Sequence, residues 1–369
     1  MKKLSVSVYF MVEWWDKYFH NKFPRPEKPC QDALDALYLA RKRFLFEHFG
    51  RFGLGEEFPV MDGKYVSLVI KYGMDLIPYL FGAKLTCQEA GGYMPTEFSY
   101  EQLSKMTPVD IAAHPFGDWV MREKERMTSR YGMTSAFLDY ESATNIAFRL
   151  RGMYFYSDLI EDPSFAQHVL SLSLESIKNI LAFQRKAFPP TDEKIISDYQ
   201  IGNCNVTMLS PDMYTELIRS YDIDFAEFCY AISEGRCDLL LHHCDVEADS
   251  FIEAYSAIPH IGRLQASHKT DIAGVLKNMP GTSFSAMVNP LECNALNEEQ
   301  LGRLFARAID LGAAELDIWN IDVATTPEKV ASILEMILKY CGSHGIEAKI
   351  DVLPFVWDEL EWAYPRYQK

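Results

Sequence analysis

The chain has 369 residues, of which 48% are hydrophobic and 24% are charged, a composition typical of a globular protein with a large core and not of a disordered one. Its 52 acidic residues outnumber its 36 basic residues and give a formal net charge of −16. This charge argues against nucleic acid or an anionic membrane as a partner, because both require a concentrated basic face.

The start of the chain superficially resembles an export signal, since Lys2 and Lys3 precede an apolar run. Glu13-Trp14-Trp15-Asp16 stands where the small residues of a cleavage site belong, so we expect no export. We also expect no membrane span, because every 18-residue apolar window contains charges. The eight cysteines form no CxxC pair, which indicates reduced thiols and a cytoplasmic protein.

The first hundred residues predict an accessory region. A helical repeat of apolar residues ends at Gly50, and the turn Gly53-Leu54-Gly55 follows it. This turn is not a dinucleotide-binding loop, because it lacks a third glycine and two carboxylates come next. We therefore expect residues 1–105 to form a helical and irregular cap, packed on a catalytic domain of residues 106–369.

From about residue 194, short apolar runs alternate with segments of helical period, which predicts parallel strands joined by helices. The predicted strands are Lys194–Asp198, Asp238–His242, Ile261–Ala266, Phe284–Val288, Glu315–Trp319 and Ala348–Leu353, with Asn145–Leu150 and Val109–Ala113 as earlier candidates. Helix starts are predicted at Asn297 with Gln300, and at Asp162-Pro163, Ser210-Pro211 and Thr326-Pro327. The pattern favours an α/β fold, a (β/α)8 TIM barrel with the N-terminal cap, over a doubly wound open sheet.

In such a barrel the catalytic groups lie at the carboxyl ends of the strands. The polar residues that end the predicted strands are Asp198, His242, His243, Cys244, Ser267, His268, Asn289, Asp317, Asn320 and Asp322. Some of them have a purely structural alternative, because Asp198, Asn289 and Asp322 can also serve as turn or capping residues.

His242-His243-Cys244 is the densest group of metal-binding residue types in the chain. Alternate residues of an extended segment point the same way, so His242 and Cys244 are predicted to share one side. An imidazole nitrogen and a thiolate sulfur suit zinc, with one coordination position left open. The alternative is a pair of hydrogen-bonded histidines packed in the core.

Between about residues 142 and 340 the chain resembles the uroporphyrinogen decarboxylase superfamily, a (β/α)8-barrel group that also contains cobalamin-dependent methyltransferases. The resemblance lies in the order and spacing of the segments FRLRGMYF, IEDPSFAQHVL, IISDYQIGN, LSPDMYTELI, DLLLHHCD, MVNP and TTPEKVASIL.

The methyltransferase branch of that superfamily carries an H-x-C pair at the end of the strand that matches DLLLHHC, which implies that His242 and Cys244 are zinc ligands. That branch takes a further cysteine from a later segment, but the corresponding stretch here, residues 317–322, contains none. The residues left open as the third ligand are Asp317, Asp322, His268 and Cys293. The site can equally be free of metal.

The resemblance implies methyl transfer between a small methylated substrate, such as a methyl ether, and the cobalamin of a separate corrinoid protein. The residues expected to carry a proton are Asp198, His268 and Asp317. The residues expected to bind the substrate are Asn289, Trp319 and Asn320. The family contains monomers and homodimers, so the oligomeric state stays open, as does the identity of the methyl donor or acceptor.

Two alternatives remain. One is a metal-free decarboxylase, although the arginine-rich motif of that branch is matched only by Trp119-Val120-Met121-Arg122, some 90 residues late. The other is a non-catalytic barrel that binds a corrinoid or an aromatic compound.

Overall fold

The computed structural model describes residues 2–22, 31–60, 67–70, 75–87, 93–132, 135–138, 140–189, 199–244 and 246–352. These residues form a mixed α/β structure around a parallel sheet of seven strands. None of the helices in these ranges is long and apolar enough to span a bilayer.

The strands, numbered in chain order, are β1 Lys2–Phe10, β2 Ser67–Ile70, β3 Leu85–Cys87, β4 Tyr93–Pro95, β5 Ser135–Leu138, β6 Gln200–Asn203, β7 Leu239–His243, β8 Ile261–Ser267, β9 Ser283–Val288, β10 Glu315–Ile321 and β11 Ile346–Val352.

The α-helices are Val12–Trp15, Gln31–Phe49, Leu76–Leu80, Tyr100–Leu103, Pro115–Tyr131, Ala143–Arg151, Tyr154–Glu161, Pro163–Ala187, Pro211–Met213, Arg219–Ile232, Ile252–Ser256, Ile272–Asn278, Pro290–Ala295, Glu298–Leu311 and Pro327–Ser343. Short 3₁₀ turns are Gly50–Phe52, Ile111–Ala113, Val206–Met208 and Asp249–Phe251, and π-helical turns are Asp16–His20 and Tyr214–Ile218.

The main sheet has the strand order β6-β7-β8-β9-β10-β1-β11, and every neighbouring pair is parallel. Two small sheets lie outside it, the parallel pair β2 and β5 and the antiparallel pair β3 and β4. The α/β class with a parallel sheet is thereby confirmed. Across the described ranges the main sheet is bounded by β6 and β11, so closure into a barrel stays a prediction.

The sequence locates five strands of this sheet correctly. The predicted segments from residue 238 onward correspond to β7, β8, β9, β10 and β11, and most of their ends agree to within two residues. The predicted strand Lys194–Asp198 lies outside the described residues, and β6 begins later, at Gln200. The predicted helix starts are also confirmed, because Asp162, Ser210, Asn297 and Thr326 each cap a helix through a side-chain oxygen.

Two predicted strands are wrong. Asn145–Leu150 lies within the helix Ala143–Arg151, which begins where the Ser142 side chain accepts a hydrogen bond from the backbone N–H of Asn145. A brief apolar run does not distinguish a buried helix from a buried strand, and this one is a helix. Val109–Ala113 ends in a 3₁₀ turn, because the Asp110 carboxylate accepts hydrogen bonds from the N–H groups of Ala112 and Ala113.

The strand β1 lies inside the main sheet, between β10 and β11, although residues 1–105 are expected to form an accessory cap. Its residues Leu4, Val6, Val8 and Phe10 are buried. The boundary at residue 105 stays a prediction, but the first nine described residues are part of the sheet that the cap is expected to cover.

The two faces of the sheet differ in polarity. Leu264, Phe284 and Leu316 are fully buried in the apolar core, as are Ala266, Ala286 and Ile318, two positions further along the same strands. The opposite face carries polar side chains at register positions that match from strand to strand. Those polar residues are Ser7, Arg263, Gln265, Ser285, Glu315 and Asp317. The polar face is therefore where this fold can hold chemical groups.

Candidate metal centre

Three potential metal ligands converge at the carboxyl ends of β6 and β7. The ligand atoms of Cys204, His242 and Cys244 all lie within 4.8 Å of one another. Gly202 of β6 pairs with His242 of β7, so Cys204 and Cys244 are both two positions beyond this pair. The alternation that the sequence predicts for His242 and Cys244 thus brings both residues to one site.

The donor set fits a zinc ion. Zinc–sulfur bonds of about 2.3 Å and tetrahedral geometry place two thiolate ligands roughly 3.8 Å apart, so the observed spread requires only a small contraction. Two thiolates and one imidazole are also the protein ligands of a known type of catalytic zinc site, in which the fourth position is open. The part of the chain that the structure describes therefore contains a suitable set of three ligands.

The Cys204 thiol needs a nearby cation to ionise. The hydrogen bond with Cys244, burial and the charge of Glu141 raise the pKa of the Cys204 thiol well above its ordinary value. The Cys204 thiol therefore remains protonated at neutral pH unless a positive charge compensates for its ionisation. A divalent metal ion supplies such a charge and binds the thiolate form.

A chain of hydrogen bonds leads from His242 to the interior of the polar face. His242 Nδ1 is 2.6 Å from Gln265 Oε1, and Gln265 Nε2 donates to Asp317 Oδ2. Ser285 Oγ donates to the same carboxylate oxygen at 2.6 Å. Because the amide oxygen of Gln265 faces His242, the imidazole donates from Nδ1, and its Nε2 lone pair is available to a metal.

Burial by itself would lower the pKa of His242, but hydrogen bonds with Cys244 and Gln265 and the charge of Glu141 raise it. Burial and the neighbouring Glu315 carboxylate raise the pKa of Asp317 to about 6, in opposition to the hydrogen bonds from Ser285 and Gln265.

Asn145 holds the turn that carries Cys204. Its side chain is fully buried, and its Nδ2 donates to the carbonyl oxygen of Gly202 at 2.6 Å. Its Oδ1 accepts a hydrogen bond from the backbone N–H of Asn205 at 3.0 Å. These two bonds fix the backbone on both sides of Cys204. This role does not follow from the sequence, where the apolar run around Asn145 predicts a strand.

Glu141 lies against Gly202, the register partner of His242. A Cβ atom on Gly202 would lie 1.9 Å from Glu141 Oε2, so the carboxylate occupies space that any other residue would fill. The negative charge of Glu141 raises the pKa of both Cys204 and His242. Glu141 is thus an acidic neighbour of the metal centre that the sequence analysis did not single out.

The other faces of β6 and β7 carry a buried polar network. Asn203 Nδ2 donates to Asp222 Oδ2 at 3.0 Å, and the Tyr214 hydroxyl donates to the same oxygen at 2.6 Å. His243 Nδ1 is hydrogen-bonded to the Tyr255 hydroxyl at 2.7 Å. Burial and the neighbouring His242 lower the pKa of His243 to about 4. The packed, hydrogen-bonded alternative therefore applies to His243, while His242 faces the candidate centre.

Trp319 lies beside His242, one of the candidate metal ligands. Its ring lies 5.9 Å from the ring of His242 and stacks on Tyr9 at 4.7 Å, both measured between centroids. The next residue, Asn320, has a φ of +57° and lies where β10 gains one residue relative to β1. Asparagine tolerates this left-handed conformation better than most residues, and bulges of this kind often redirect side chains near active sites.

Two of the other predicted residues, His268 and Asn289, have structural partners. His268 Nε2 donates to Glu292 Oε1 at 2.8 Å, and the Asn289 side chain caps the helix Pro290–Ala295. Burial would raise the pKa of Glu292, but hydrogen bonds from His268 and Lys269 lower it to about 2. The catalytic role of His268 and the substrate-binding roles of Asn289 and Asn320 stay predictions, and Asp198 lies outside the described residues.

Among the described residues, Cys204 lies with His242 and Cys244, where the sequence left Asp317, Asp322, His268 and Cys293 as candidates. Asp322 accepts hydrogen bonds from Ala324 N and Asn294 Nδ2, and Cys293 is buried in a helix. A signal for Cys204 was present, because it comes one residue after β6. The predicted strand ends at Asp198, however, and Cys204 is six residues beyond that end.

Comparison with known proteins shows a similarity of fold. No family model matches the chain, and a search of curated proteins found no significant match. Among solved structures, a methyltransferase from Methanosarcina mazei aligns with a TM-score of 0.60 and 13% sequence identity, over 93% of this chain and 94% of that one. At this identity the match concerns the fold, and over nearly its whole length the chain is folded like that methyltransferase.

Proposed function

We propose that this protein is a cobalamin-dependent methyltransferase of the uroporphyrinogen decarboxylase superfamily, which moves a methyl group between a small methylated substrate and the cobalamin of a separate corrinoid protein. The observation that carries the proposal is the convergence of Cys204, His242 and Cys244 at one edge of the sheet. The fold likeness to a methyltransferase supports it.

Cys204, His242 and Cys244 would hold a zinc ion. When bound, zinc supplies Lewis-acid polarisation of a methylated oxygen or nitrogen, or stabilises a thiol acceptor as its thiolate. The stacked rings of Trp319 and Tyr9 offer an apolar wall beside His242 for a methyl group.

When a methyl ether is the donor, the oxygen that leaves the methyl group keeps the bonding electrons and must take up a proton. Asp198 and His268 are the proposed carriers of this proton. The hydrogen bond to Glu292 orients the imidazole of His268. The proposed substrate contacts also include Asn289, which follows β9, and Asn320, which lies in β10.

The surface around the centre suits a protein partner. Exposed apolar side chains follow β6, β7, β9 and β10, all at the edge where the metal ligands lie. These residues are Met208, Val246, Leu291 and Val323. Apolar side chains grouped around a reactive site are typical of a protein-binding surface, and a corrinoid protein would have to approach this edge to deliver its cofactor. A centre that contains two thiolates also requires a reducing compartment, which favours the cytoplasm.

Metal analysis tests the proposal. Protein purified without chelators is expected to contain about one zinc per chain, and Cys204→Ala, His242→Ala and Cys244→Ala are each expected to lose most of it, because two remaining ligands bind zinc weakly. Cys293→Ala is the matched control, since this cysteine is buried in a helix and burial raises its pKa to about 12.

Circular dichroism of each variant separates loss of a ligand from loss of the fold. Wild-type protein that binds no zinc, or a folded Cys204→Ala variant that retains it fully, would contradict the proposal. Demethylation of candidate donors in the presence of Co(I) corrinoid then distinguishes a methyltransferase from a decarboxylase and from a binding protein without activity.

A further inference from the structure

We propose that Gln265 and Asp317 are positioning residues, which act together to hold His242 in the one tautomer that can bind a metal. The sequence suggests Asp317 as a carrier of protons, whereas its contacts place it behind His242, with Gln265 in between. The inference rests on the proposed function only in requiring that a metal binds at His242.

Register places the participating side chains in one row. His242 of β7 pairs with Gln265 of β8, which pairs with Ser285 of β9. Side chains at paired positions of neighbouring strands lie side by side on the same face of the sheet. Asp317 of β10 reaches the same row, where both Gln265 and Ser285 donate to it.

The direction of the hydrogen bonds follows from Asp317. A carboxylate accepts hydrogen bonds, so the side chain of Gln265 must turn its NH₂ group toward Asp317 and its oxygen toward His242. The oxygen accepts only from a protonated Nδ1. In a neutral imidazole the other nitrogen then carries the lone pair, and that nitrogen, Nε2, is the one left for a metal.

Gln265 alone would not fix this arrangement. A glutamine amide that rotates by 180° exchanges its oxygen and nitrogen with almost no change in shape. The rotated amide would donate to Nδ1, which favours the tautomer with the proton on Nε2 and so blocks metal binding there. Asp317 prevents this rotation, because the rotated amide would present its oxygen to a carboxylate.

Burial keeps water from replacing either partner. Gln265 is 7% exposed, Asp317 is 2% exposed and Ser285 is fully buried. The nearby cation Arg263 is occupied by Glu315, with a nitrogen–oxygen distance of 3.6 Å. The orientation of His242 therefore depends on side chains fixed within the sheet.

A reversal of the donor and acceptor roles provides the test. Gln265→Leu removes the acceptor for Nδ1, and zinc affinity, measured by competition with a chromophoric chelator, is expected to fall 10- to 100-fold, about the range for loss of such a partner. Gln265→Glu alone places two carboxylates in contact and is also expected to bind zinc more weakly. Ser283→Ala, on the same face of β9 but bonded to the Gly262 carbonyl, is the control and should bind like wild type.

The double variant Gln265→Glu with Asp317→Asn restores the pattern, because the carboxylate introduced on β8 would accept from both His242 and the new amide on β10. Its zinc affinity is expected to recover to within several-fold of wild type, and the visible spectrum of the Co(II)-substituted protein should recover with it. A purely structural role predicts additive losses instead.

Wild-type affinity in a folded Gln265→Leu variant would overturn this inference, as would a double variant no better than Gln265→Glu. In both cases the metal centre itself would stand. Wild-type protein without zinc affinity would overturn the proposed function as well.

Discussion

Gly202 fills a position where no side chain fits. It lies beside His242 in the sheet, and Glu141 Oε2 would be 1.9 Å from any Cβ attached to it. Its carbonyl oxygen also accepts the hydrogen bond from Asn145 that holds the Cys204 turn. The absence of a side chain at Gly202 thus leaves room for Glu141 and Asn145 to lie next to the candidate metal ligands.

Gly202→Ala is therefore expected to displace the Glu141 carboxylate and to lower the free energy of unfolding by about 1–3 kcal/mol, the usual cost of an added methyl group in a packed site. Gly342→Ala is the matched control, because no atom lies within 4 Å of a Cβ there and the residue is helical. That variant should be as stable as wild type or slightly more stable. Urea unfolding measures both, and equal stability of the two variants would contradict the crowding argument.

Part of the candidate metal centre could be predicted from local sequence. His242 and Cys244 share a side because a strand alternates, which is a local property of the sequence. Cys204 comes from another strand, and its place depends on the register of β6 against β7. That register is set by side chains far apart in the chain, so local patterns do not reveal it.

At the scale of elements, β6 and β7 are joined on their core side by a network of polar side chains. Its members are Asn203, Tyr214, Asp222, His243 and Tyr255, and a hydrogen bond between Asn203 and Tyr255 links its two parts. A buried polar group is stable only when it is hydrogen-bonded, so the network fixes how the ends of the two strands lie against the helices. Asp222 is its only carboxylate, and burial raises the pKa of Asp222 to about 6.

This pKa predicts a specific dependence of stability on pH. In the unfolded chain Asp222 loses its proton near pH 3.8, whereas in the folded protein it keeps the proton up to about pH 6. The stabilisation that comes from this retained proton is complete below pH 3.8 and is lost as the pH rises through about 6.

The free energy of unfolding of wild type relative to Asp222→Asn is thus expected to decrease between about pH 4 and 6, by at most on the order of 3 kcal/mol, and then to level off. Urea unfolding at several pH values checks this, and the asparagine variant cancels the contributions of all other groups. A difference between the two proteins that does not change with pH would show that Asp222 does not retain its proton.

The elements that could be predicted are short strands that alternate with helices along the chain. The strands β7 to β11 are short segments that alternate with helices, which local patterns identify well. The helix Ala143–Arg151 and the strand β1 could not be recognised in this way. The first has an apolar run as brief as a strand, and the second begins a chain whose pattern of alternating elements appears only much later.

At the scale of the whole molecule, β1 joins the two ends of the described chain. It pairs with β10 on one side and with β11 on the other, and the Ser7 hydroxyl donates to Glu315 at 2.7 Å. Val6 and Val8 of this strand are fully buried in the apolar core. The sheet therefore depends on a strand that an N-terminal cap would not be expected to supply.

Val6→Asp is accordingly expected to prevent stable folding, because it places an unpaired charge in the apolar core at a cost of several kcal/mol. Ser5→Asp is the control on the neighbouring position of the same strand, where the side chain is exposed. Circular dichroism and urea unfolding should show a folded Ser5→Asp protein. A folded Val6→Asp variant with wild-type stability would mean that β1 does not belong to the core.

The position of β1 also determines when this protein can fold as it is made. Ser7 and Glu315 are 308 residues apart, so at about 5–20 residues per second a ribosome needs roughly 15–60 s to supply the partner of the first strand. During that interval β1 lacks both of its strand partners, although Trp14, Trp15 and Phe49, which pack on Phe10, have already been made. Chaperones that bind emerging chains should therefore engage β1 early and release it only after β10 has been made.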